Sequence, residues 1–271
     1  MMDREKIQRA AGLLADAWLA DNTIDLPSRL LPSDRASAYA TQDEMARLLA
    51  CDPANRPTGW KVGATSPGVQ SSEGYDGPIP GRILASTIYA SGAAVPLTRC
   101  RHANVEAEIA FRFRAAPPRT DGGITRDDLE AIVTAAPALD ITGTRYASTC
   151  RSAWNGRQNM LAGIADNGNG GAIVLGEENS SWRSMDFMQL DVDLRINSDD
   201  PAPNLWDRSR GNPFEALLWT VNHVYARGYA LAAGHVVLTG SLTEPQPIQD
   251  GDSVVCQMPG LGSLGCHFSR A

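Results

Sequence analysis

Two glutamates in the stretch 105–113 have the residue type and spacing of a metal site. The segment alternates between apolar and polar side chains and is rich in β-branched and aromatic residues, which predicts a strand. Residues two apart leave a strand on the same face, so Glu106 and Glu108 are expected side by side. Burying two carboxylates together is costly unless a cation compensates, and a hard divalent ion such as Mg²⁺, Mn²⁺ or Ca²⁺ suits oxygen ligands. The alternative is a solvated strand face beside Arg112 and Arg114, which the spacing alone favours.

Two helices and a short strand are predicted ahead of this segment. Apolar residues recur at near-helical spacing over 4–20, and the polar pair at 33–34 is typical of the cap of a second helix that runs to about Ala50. A strand bounded by glycines follows at 59–63. Residues 65–81 are rich in Ser, Gly and Pro, which favours a loop long enough to act as a lid or substrate loop.

The later part of the chain is predicted to be mainly strands. A helix is expected over 125–135 with a threonine cap, and a short strand over 138–141 carries a single acid. A second helix is expected to open at Asn212 and to end before Gly228. The tail, 236–268, alternates as strands broken by glycines. Together with the N-terminal helices, this pattern indicates the α+β class.

Composition and charge exclude several classes of function. The net charge is −7 and no basic stripe appears, so nucleic acid is not expected as a partner. No apolar run approaches the length of a membrane span, and the N-terminus lacks the apolar core of a secretory signal. The five cysteines are scattered without a C-x-x-C motif, and the four histidines have no paired spacing. This usage disfavours a disulfide framework or a zinc site and indicates a reducing cytoplasm.

Five sequence blocks, taken in order, resemble the 2-keto-4-pentenoate hydratase/4-oxalocrotonate decarboxylase family of the fumarylacetoacetate-hydrolase-like superfamily. The blocks are GWKVG at 59–63, VEAEIA at 105–110, PALDI at 137–141, ADN at 165–167 and VLTGS at 237–241. Their order and spacing are more specific than any single block, and the resemblance covers nearly the whole chain. It reverses the preference for a solvated strand in favour of the metal site.

The resemblance implies a fumarylacetoacetate-hydrolase-like mixed β-roll. We place this β-rich catalytic core at 56–271, behind an N-terminal helical portion at 1–55, as one continuous unit. The resemblance also implies a divalent cation, Mg²⁺ or Mn²⁺ (with Ca²⁺ as a substitute in a crystal), held by three carboxylates. Two of them match Glu106 and Glu108, whereas the third, typically a glutamate, is Asp140 here. Because aspartate is one methylene shorter, it is expected to reach about 1.5 Å further or to bind through water.

Lys61 matches the active-site lysine of the family. Such a lysine can stabilise enolate or carboxylate charge, or can exchange protons if its pKa is lowered. Two positions depart from the family pattern, since Ile79 stands where hydratases carry an acid and Asn169 stands where they carry a serine. Asn169 can still hydrogen-bond to a substrate carboxylate. Glu73 and Asp76 are the candidates to supply the missing catalytic acid.

The substrate class implied by the resemblance is a small 2-oxo acid or its dienol tautomer, bound by Lys61, Asn169 and Arg82. The first prediction is a metal-dependent lyase that adds water to a 2-oxo-4-enoic acid in aromatic catabolism. Decarboxylation of a vinylogous 2-oxo acid is the alternative that Ile79 favours, because it needs no attacking water. C–C hydrolysis, tautomerisation and a non-catalytic homologue that binds a 2-oxo acid also stay open. A homo-oligomer is expected, and metal content separates the enzyme from the non-catalytic homologue.

Overall fold

A computed structural model of the chain describes residues 2–118 and 123–269. In these two ranges the α-helices are α1 Arg4–Leu19, α2 Arg35–Leu49, α3 Pro67–Glu73, α4 Arg126–Glu130, α5 Ser148–Arg151, α6 Gly156–Ala165 and α7 Pro213–Ala226. The strands are β1 Pro57–Gly63, β2 Ile79–Leu84, β3 Ile88–Ala90, β4 Ala94–Pro96, β5 Asn104–Phe113, β6 Val133–Thr142, β7 Gly170–Leu175, β8 Asp193–Ile196, β9 Val236–Ser241, β10 Gln246–Pro247, β11 Ser253–Met258 and β12 Gly262–Ser269. The α+β prediction is confirmed.

The second N-terminal helix, α2, begins at the polar cap that the sequence predicts. The Asp34 carboxylate accepts a hydrogen bond from the backbone N–H of Ser37 at 2.7 Å, which fixes the first turn of α2. The helices α1 and α2 pack against each other, and their apolar side chains share one buried cluster with Leu84, Tyr146 and Ala162 from the β-rich body. In the part of the chain that the structure describes, no helix is both long and apolar enough to cross a membrane.

The central sheet has eight strands and curls on itself. Its order is β2-β1-β9-β5-β6-β7-β3, and the short strand β10 pairs with β5. The strands β2 and β7 lie far apart in this order and yet contact each other, so the two ends of the sheet approach. A second sheet, in the order β4-β12-β11-β8, packs nearby. The longest pairing is between β5 and β6, which run antiparallel over ten residue pairs.

The two faces of β5 pack into different apolar clusters, and the side chains divide between the faces as the alternation predicts. Val105, Ala107 and Ile109 are buried in the main apolar core, which also contains side chains of the smaller sheet and of α7. Ala110 lies on the opposite face, with Ala138 of β6 and Leu238 of β9 in a separate apolar cluster inside the curl. The glutamates share this inner face, and the curled sheet therefore directs them toward its interior.

Two predicted segments differ from the structure. The stretch 65–81, predicted as a loop, contains α3 and the start of β2. Ser66 caps α3 and Gly74 ends it in the left-handed region (φ 68°), but α3 has no buried residue and thus shows no apolar periodicity. The helix predicted over 125–135 ends at Glu130, because the chain from Val133 onward pairs with β5 instead. The threonine cap of this helix is correct.

Candidate active site

Three carboxylates meet on the inner face of β5 and β6. The antiparallel register places Glu106 directly opposite Asp140, and Glu108 follows two residues along the same face. One carboxylate oxygen from each residue lies within 4.8 Å of the other two. Glu108 and Asp140 are 2% and 1% exposed, whereas Glu106 is half-buried. Two of the three charges are thus almost completely removed from water.

Lys61 provides a positive charge from β1. This strand is joined to β5 through β9, and the Lys61 side chain is 4% exposed. Its Nζ forms an ion pair with Oδ2 of Asp140. Burial by itself favours the neutral amine, but Asp140 and the two glutamates outweigh burial and raise the pKa of Lys61. Lys61 is therefore protonated, and one ammonium faces three carboxylates.

The electrostatics of the cluster call for a further cation. Burial, reinforced by the charge of Asp140, raises the pKa of Glu106 to about 7 and that of Glu108 well above its ordinary value. Burial also raises the pKa of Asp140, against the effect of Lys61. The second oxygen of Asp140, Oδ1, is buried and has no hydrogen-bond partner among the described residues. These are the signs of a site whose charges and lone pairs are incompletely satisfied.

A divalent cation fits this arrangement. Oxygens on opposite sides of a Mg²⁺ or Ca²⁺ ion lie about 4.2–5.2 Å apart, so a spread of up to 4.8 Å can close around one ion. The shorter side chain of Asp140 still brings one oxygen within this range. Oε2 of Glu108 accepts a hydrogen bond from the backbone N–H of Gly240 at 2.8 Å, which leaves Oε1 to face the other carboxylates. We conclude that Glu106, Glu108 and Asp140 are suited to hold a divalent metal.

The cluster lies in a cleft of about 360 Å³. Among the side chains that line the cleft are Lys61, Glu73, Tyr75, Ile79, Glu106, Glu108, Asp140, Arg151 and Asn169. The helix α3 borders the cleft through Val69, Ser72 and Glu73, so the segment predicted as a lid or substrate loop does border the site. Ile79 is buried and contributes an apolar surface at the position where related hydratases are expected to carry an acid.

Asn169 reaches the cleft from a strained turn. Asn167, Gly168 and Asn169 all have positive φ angles of 54–65°, a conformation that asparagine and glycine tolerate better than most residues. The Asn167 side chain holds this turn against β2, because it accepts from the Arg82 N–H at 2.7 Å and donates to the Arg82 carbonyl at 2.9 Å. The Asn169 side chain forms no hydrogen bond with another described residue and is available to a ligand.

Behind this turn lies a buried ion pair that the sequence analysis missed. Nε of Arg145 donates to Oδ1 of Asp166 at 2.5 Å, and Oδ2 of Asp166 accepts from Thr144 Oγ1 at 3.1 Å and from the Arg145 N–H at 3.0 Å. The Arg145 guanidinium also donates to the carbonyls of Arg99 and Gly170. Although Asp166 belongs to a recognisable block, nothing in the local sequence identifies Arg145 as its partner.

The structure brings most of the predicted site residues together, but it places Asp76 and Arg82 elsewhere. The Asp76 carboxylate does not line the cleft and forms ion pairs with Arg35 at 2.6 Å and Arg157 at 3.0 Å. Asp76 is therefore positioned to hold these two arginines rather than to exchange protons with a ligand in the cleft.

The prediction that Arg82 binds the substrate is not supported by its position. On β2 it is opposite Trp60, whereas Lys61 is opposite Gly81, so Arg82 and Lys61 leave opposite faces of the sheet. Its guanidinium lies 4.7 Å from the centre of the Trp60 ring and donates to Asp43 at 2.5 Å. Arg82 thus anchors α2 to the outside of the sheet.

Comparison with known proteins agrees with this fold. The model of the fumarylacetoacetate (FAA) hydrolase C-terminal family matches residues 82–269. The chain is 30% identical over 269 residues to the TodF product hydratase of Pseudomonas putida, covering 98% of this chain and 96% of that protein. It is 29% identical to a 2-keto-4-pentenoate hydratase of Burkholderia vietnamiensis over the full length of both chains.

A solved structure shows the same fold. The 4-oxalocrotonate decarboxylase from Pseudomonas putida G7, complexed with magnesium and adipate, superimposes with a TM-score of 0.84 at 24% identity, covering 99% of both chains. Both the family model and the full-length relatives include the strands that carry the carboxylate cluster. The chain therefore belongs to the fumarylacetoacetate hydrolase family.

Proposed function

We propose that this protein is a divalent-metal-dependent hydratase that adds water to a small 2-oxo-4-enoic acid in a catabolic pathway. The observation that carries the proposal is the buried cluster of Lys61, Glu106, Glu108 and Asp140 at a small cleft. The names of the full-length relatives, which are hydratases, support this reaction, and the magnesium complex of the decarboxylase supports the metal. Mg²⁺ or Mn²⁺ is the proposed cofactor.

The chemistry of a 2-oxo-4-enoic acid explains why such a cluster is useful. Enolisation by loss of a C3 proton, followed by protonation at C5, gives a 2-oxo-3-enoic acid. Water then adds at C4, the electron pair moves toward the 2-oxo oxygen, and C3 takes up a proton to complete the hydration. A bound divalent cation would supply Lewis-acid stabilisation of the negative charge at the 2-oxo oxygen. The ammonium of Lys61, which lies beside Asp140 in the cluster, would stabilise the same charge.

Asn169 and Glu73 are proposed to complete the site. The free amide of Asn169 can donate a hydrogen bond to a substrate carboxylate in place of the expected serine. Glu73 lies at the end of α3, lines the cleft and is exposed, so its carboxylate can activate a water molecule that enters from solvent. Ile79 cannot take this role, because it has no proton to exchange.

Glu73→Gln is expected to lower kcat for hydration about 100-fold while metal binding is unchanged, since the variant removes a general base and no ligand. Stopped-flow or steady-state absorbance of the dienoate gives kcat, and calorimetry gives the metal affinity. Asp76→Asn is the comparison variant, because Asp76 lies outside the cleft and should affect kcat much less. A larger loss in Asp76→Asn than in Glu73→Gln would transfer the role to Asp76.

Decarboxylation of a vinylogous 2-oxo acid is the second candidate. The observation in its favour is the apolar surface that Ile79 contributes to the cleft, because loss of CO₂ requires a stabilised dienolate and a proton but no attacking water. Lys61 and the carboxylate cluster would serve this reaction equally well. The two candidates therefore differ in whether a water molecule attacks the substrate at the side of the cleft that Ile79 lines.

A metal-supplemented assay tests both candidates. The protein is incubated with 2-hydroxypenta-2,4-dienoate and, in parallel, with a 2-hydroxymuconate-type dicarboxylate, and products are identified by mass spectrometry. A gain of water supports the hydratase, whereas release of CO₂ from the dicarboxylate supports the decarboxylase. Binding of metal without product from either substrate would indicate a different substrate or reaction on the same site. Absence of metal binding would overturn the proposal for every reaction.

We also propose a cytoplasmic location and self-association. None of the five cysteines, all of which lie in the described ranges, forms a disulfide, and this favours a reducing compartment. Trp206 and Val255 are large apolar side chains that are exposed in the single chain, and contacts between copies would cover such groups. Static light scattering gives the number of subunits.

A further inference from the structure

The cleft at the carboxylate cluster continues into a second cavity. This cavity has a volume of about 310 Å³. The two spaces share five lining residues, Glu73, Tyr75, Thr144, Arg151 and Asn169, so they form one path rather than two separate pockets. A ligand held at the carboxylates can therefore extend past Asn169 into the second cavity, and the groups lining that cavity would contact its far end.

Arg151 is the uncommitted positive charge on this path. It ends the short helix α5, and its side chain lines both spaces. Among the described residues, no hydrogen bond or ion pair engages the Arg151 side chain, and none links it to Glu73, which borders the same path. Lys61 is already paired with Asp140, and the nearby Arg157 is paired with Asp76. Of the guanidinium groups described in the structure, only that of Arg151 lines either space.

The rest of the second cavity is largely polar. Ser152, Thr144 and Asn159 contribute hydroxyl and amide groups, while Trp154 and Ala162 supply the apolar part of the wall. The Asn159 amide donates to the Trp154 carbonyl at 3.2 Å, and its side-chain oxygen stays available to a ligand. A purely hydrocarbon end of a substrate would leave Arg151 without a partner other than water, whereas an anionic end would form charge-assisted hydrogen bonds with the guanidinium.

We propose that Arg151 and the second cavity form a subsite for an anionic group at the far end of the substrate. The preferred substrates would then be 2-oxo-4-enoic acids that carry a second carboxylate remote from the 2-oxo acid end. This inference rests on the proposed function, because it takes the carboxylate cluster as the place where the 2-oxo acid end is bound. It adds that the substrate is a dicarboxylate and that Arg151 determines this specificity.

Binding of a matched pair of unreactive 2-oxo acids tests the subsite without relying on turnover. 2-Oxoadipate and 2-oxohexanoate have the same chain length and the same 2-oxo acid end, and they differ only in a terminal carboxylate or methyl group. Isothermal titration calorimetry with Mg²⁺-saturated protein measures both affinities. We expect wild type to bind 2-oxoadipate about tenfold more tightly, the size of one charge-assisted hydrogen-bonded contact. 2-Oxoglutarate and 2-oxopimelate then define the best chain length.

Substitution of Arg151 tests whether this residue causes the preference for the dicarboxylate. Arg151→Gln should abolish the preference for the dicarboxylate and leave the affinity for 2-oxohexanoate close to that of wild type. Arg157→Gln removes an equivalent charge from a side chain that lines neither space, and it should retain the preference. Equal affinities of wild type for the two acids would overturn the subsite but leave the proposed function standing. Failure of both acids to bind in the presence of Mg²⁺ would overturn the proposed function together with the subsite.

Discussion

Glu108→Gln is expected to abolish metal-dependent turnover and, at the same time, to stabilise the metal-free chain. Glutamine keeps the shape of the side chain and can still accept the hydrogen bond from Gly240, but it lacks the charge that a divalent ion requires. Loss of one of three carboxylate ligands should lower kcat/KM at least about 1,000-fold, since the Lewis acid contributes several kcal/mol to the transition state. Calorimetry with Mn²⁺ measures the accompanying loss of metal affinity.

The gain in stability follows from the pKa of Glu108. Burial and the charges of Asp140 and Glu106 raise this pKa well above the ordinary value of 4.5. An acid whose pKa is raised in the folded state loses stability as the pH increases from its unfolded pKa through its folded pKa. Ionisation of Glu108 therefore lowers the stability of metal-free wild type at pH 8. Glu108→Gln has no such ionisation and does not lose this stability. We expect the variant to be more stable by about 2 kcal/mol in urea unfolding with a chelator at pH 8, and less so at pH 5.

Added Mg²⁺ should reverse the order of stabilities. Only wild type binds the ion, so only its midpoint of unfolding should rise with metal concentration. Glu178→Gln is the matched control, because Glu178 pairs at 2.8 Å with Arg112, which lies on the same face of β5 four residues beyond Glu108. This control should bind metal like wild type. Equal metal affinity in Glu108→Gln, or a less stable metal-free chain, would contradict the assignment of the cluster as a metal site.

Local rules predict which side chains of β5 share a face. The alternation over 105–113 places Glu106 and Glu108 together, as the structure shows, but only the family resemblance predicts that their face is buried rather than solvated. Asp140 was identified only through the family resemblance, because its approach to Glu106 depends on the register between β5 and β6. Periodicity within one strand determines which side chains share a face, but it does not determine which residues of another strand lie opposite.

The failed predictions have the same physical origin. The face of Arg82 follows from its pairing with Trp60 across β1 and β2, which the order of residues in either strand does not reveal. The helix α3 has clear end signals, Ser66 and Gly74, but it buries no side chain and so lacks the periodicity that identifies most helices. The sequence does not single out Arg151, because its place on the cavity wall beside Asn169 depends on how the fold positions the end of α5.

Asp166→Asn is expected to destabilise the protein by about 3–5 kcal/mol, the usual cost of leaving one charge of a buried pair uncompensated. Arg145 and Asp166 are 1% and 0% exposed, and an amide nitrogen facing Nε of Arg145 would replace an acceptor with a donor. Urea unfolding measured with and without Mg²⁺ gives the change in the free energy of unfolding. Because the pair supports the turn that carries Asn169, the variant should also raise KM for the 2-oxo acid.

An exposed pair with the same contact separates the effect of burial from that of charge. Asp193 accepts from Nε of Arg195 at 2.8 Å, but both side chains are partly exposed, at 41% and 44%. Asp193→Asn should therefore cost no more than about 0.5 kcal/mol. The double variant Arg145→Met, Asp166→Asn removes the uncompensated charge and should recover part of the lost stability. An equally small loss of stability in Asp166→Asn and Asp193→Asn would show that the buried pair does not hold the Asn167–Asn169 turn at the cleft. Another contact, such as that of Asn167 with β2, would then have to hold it.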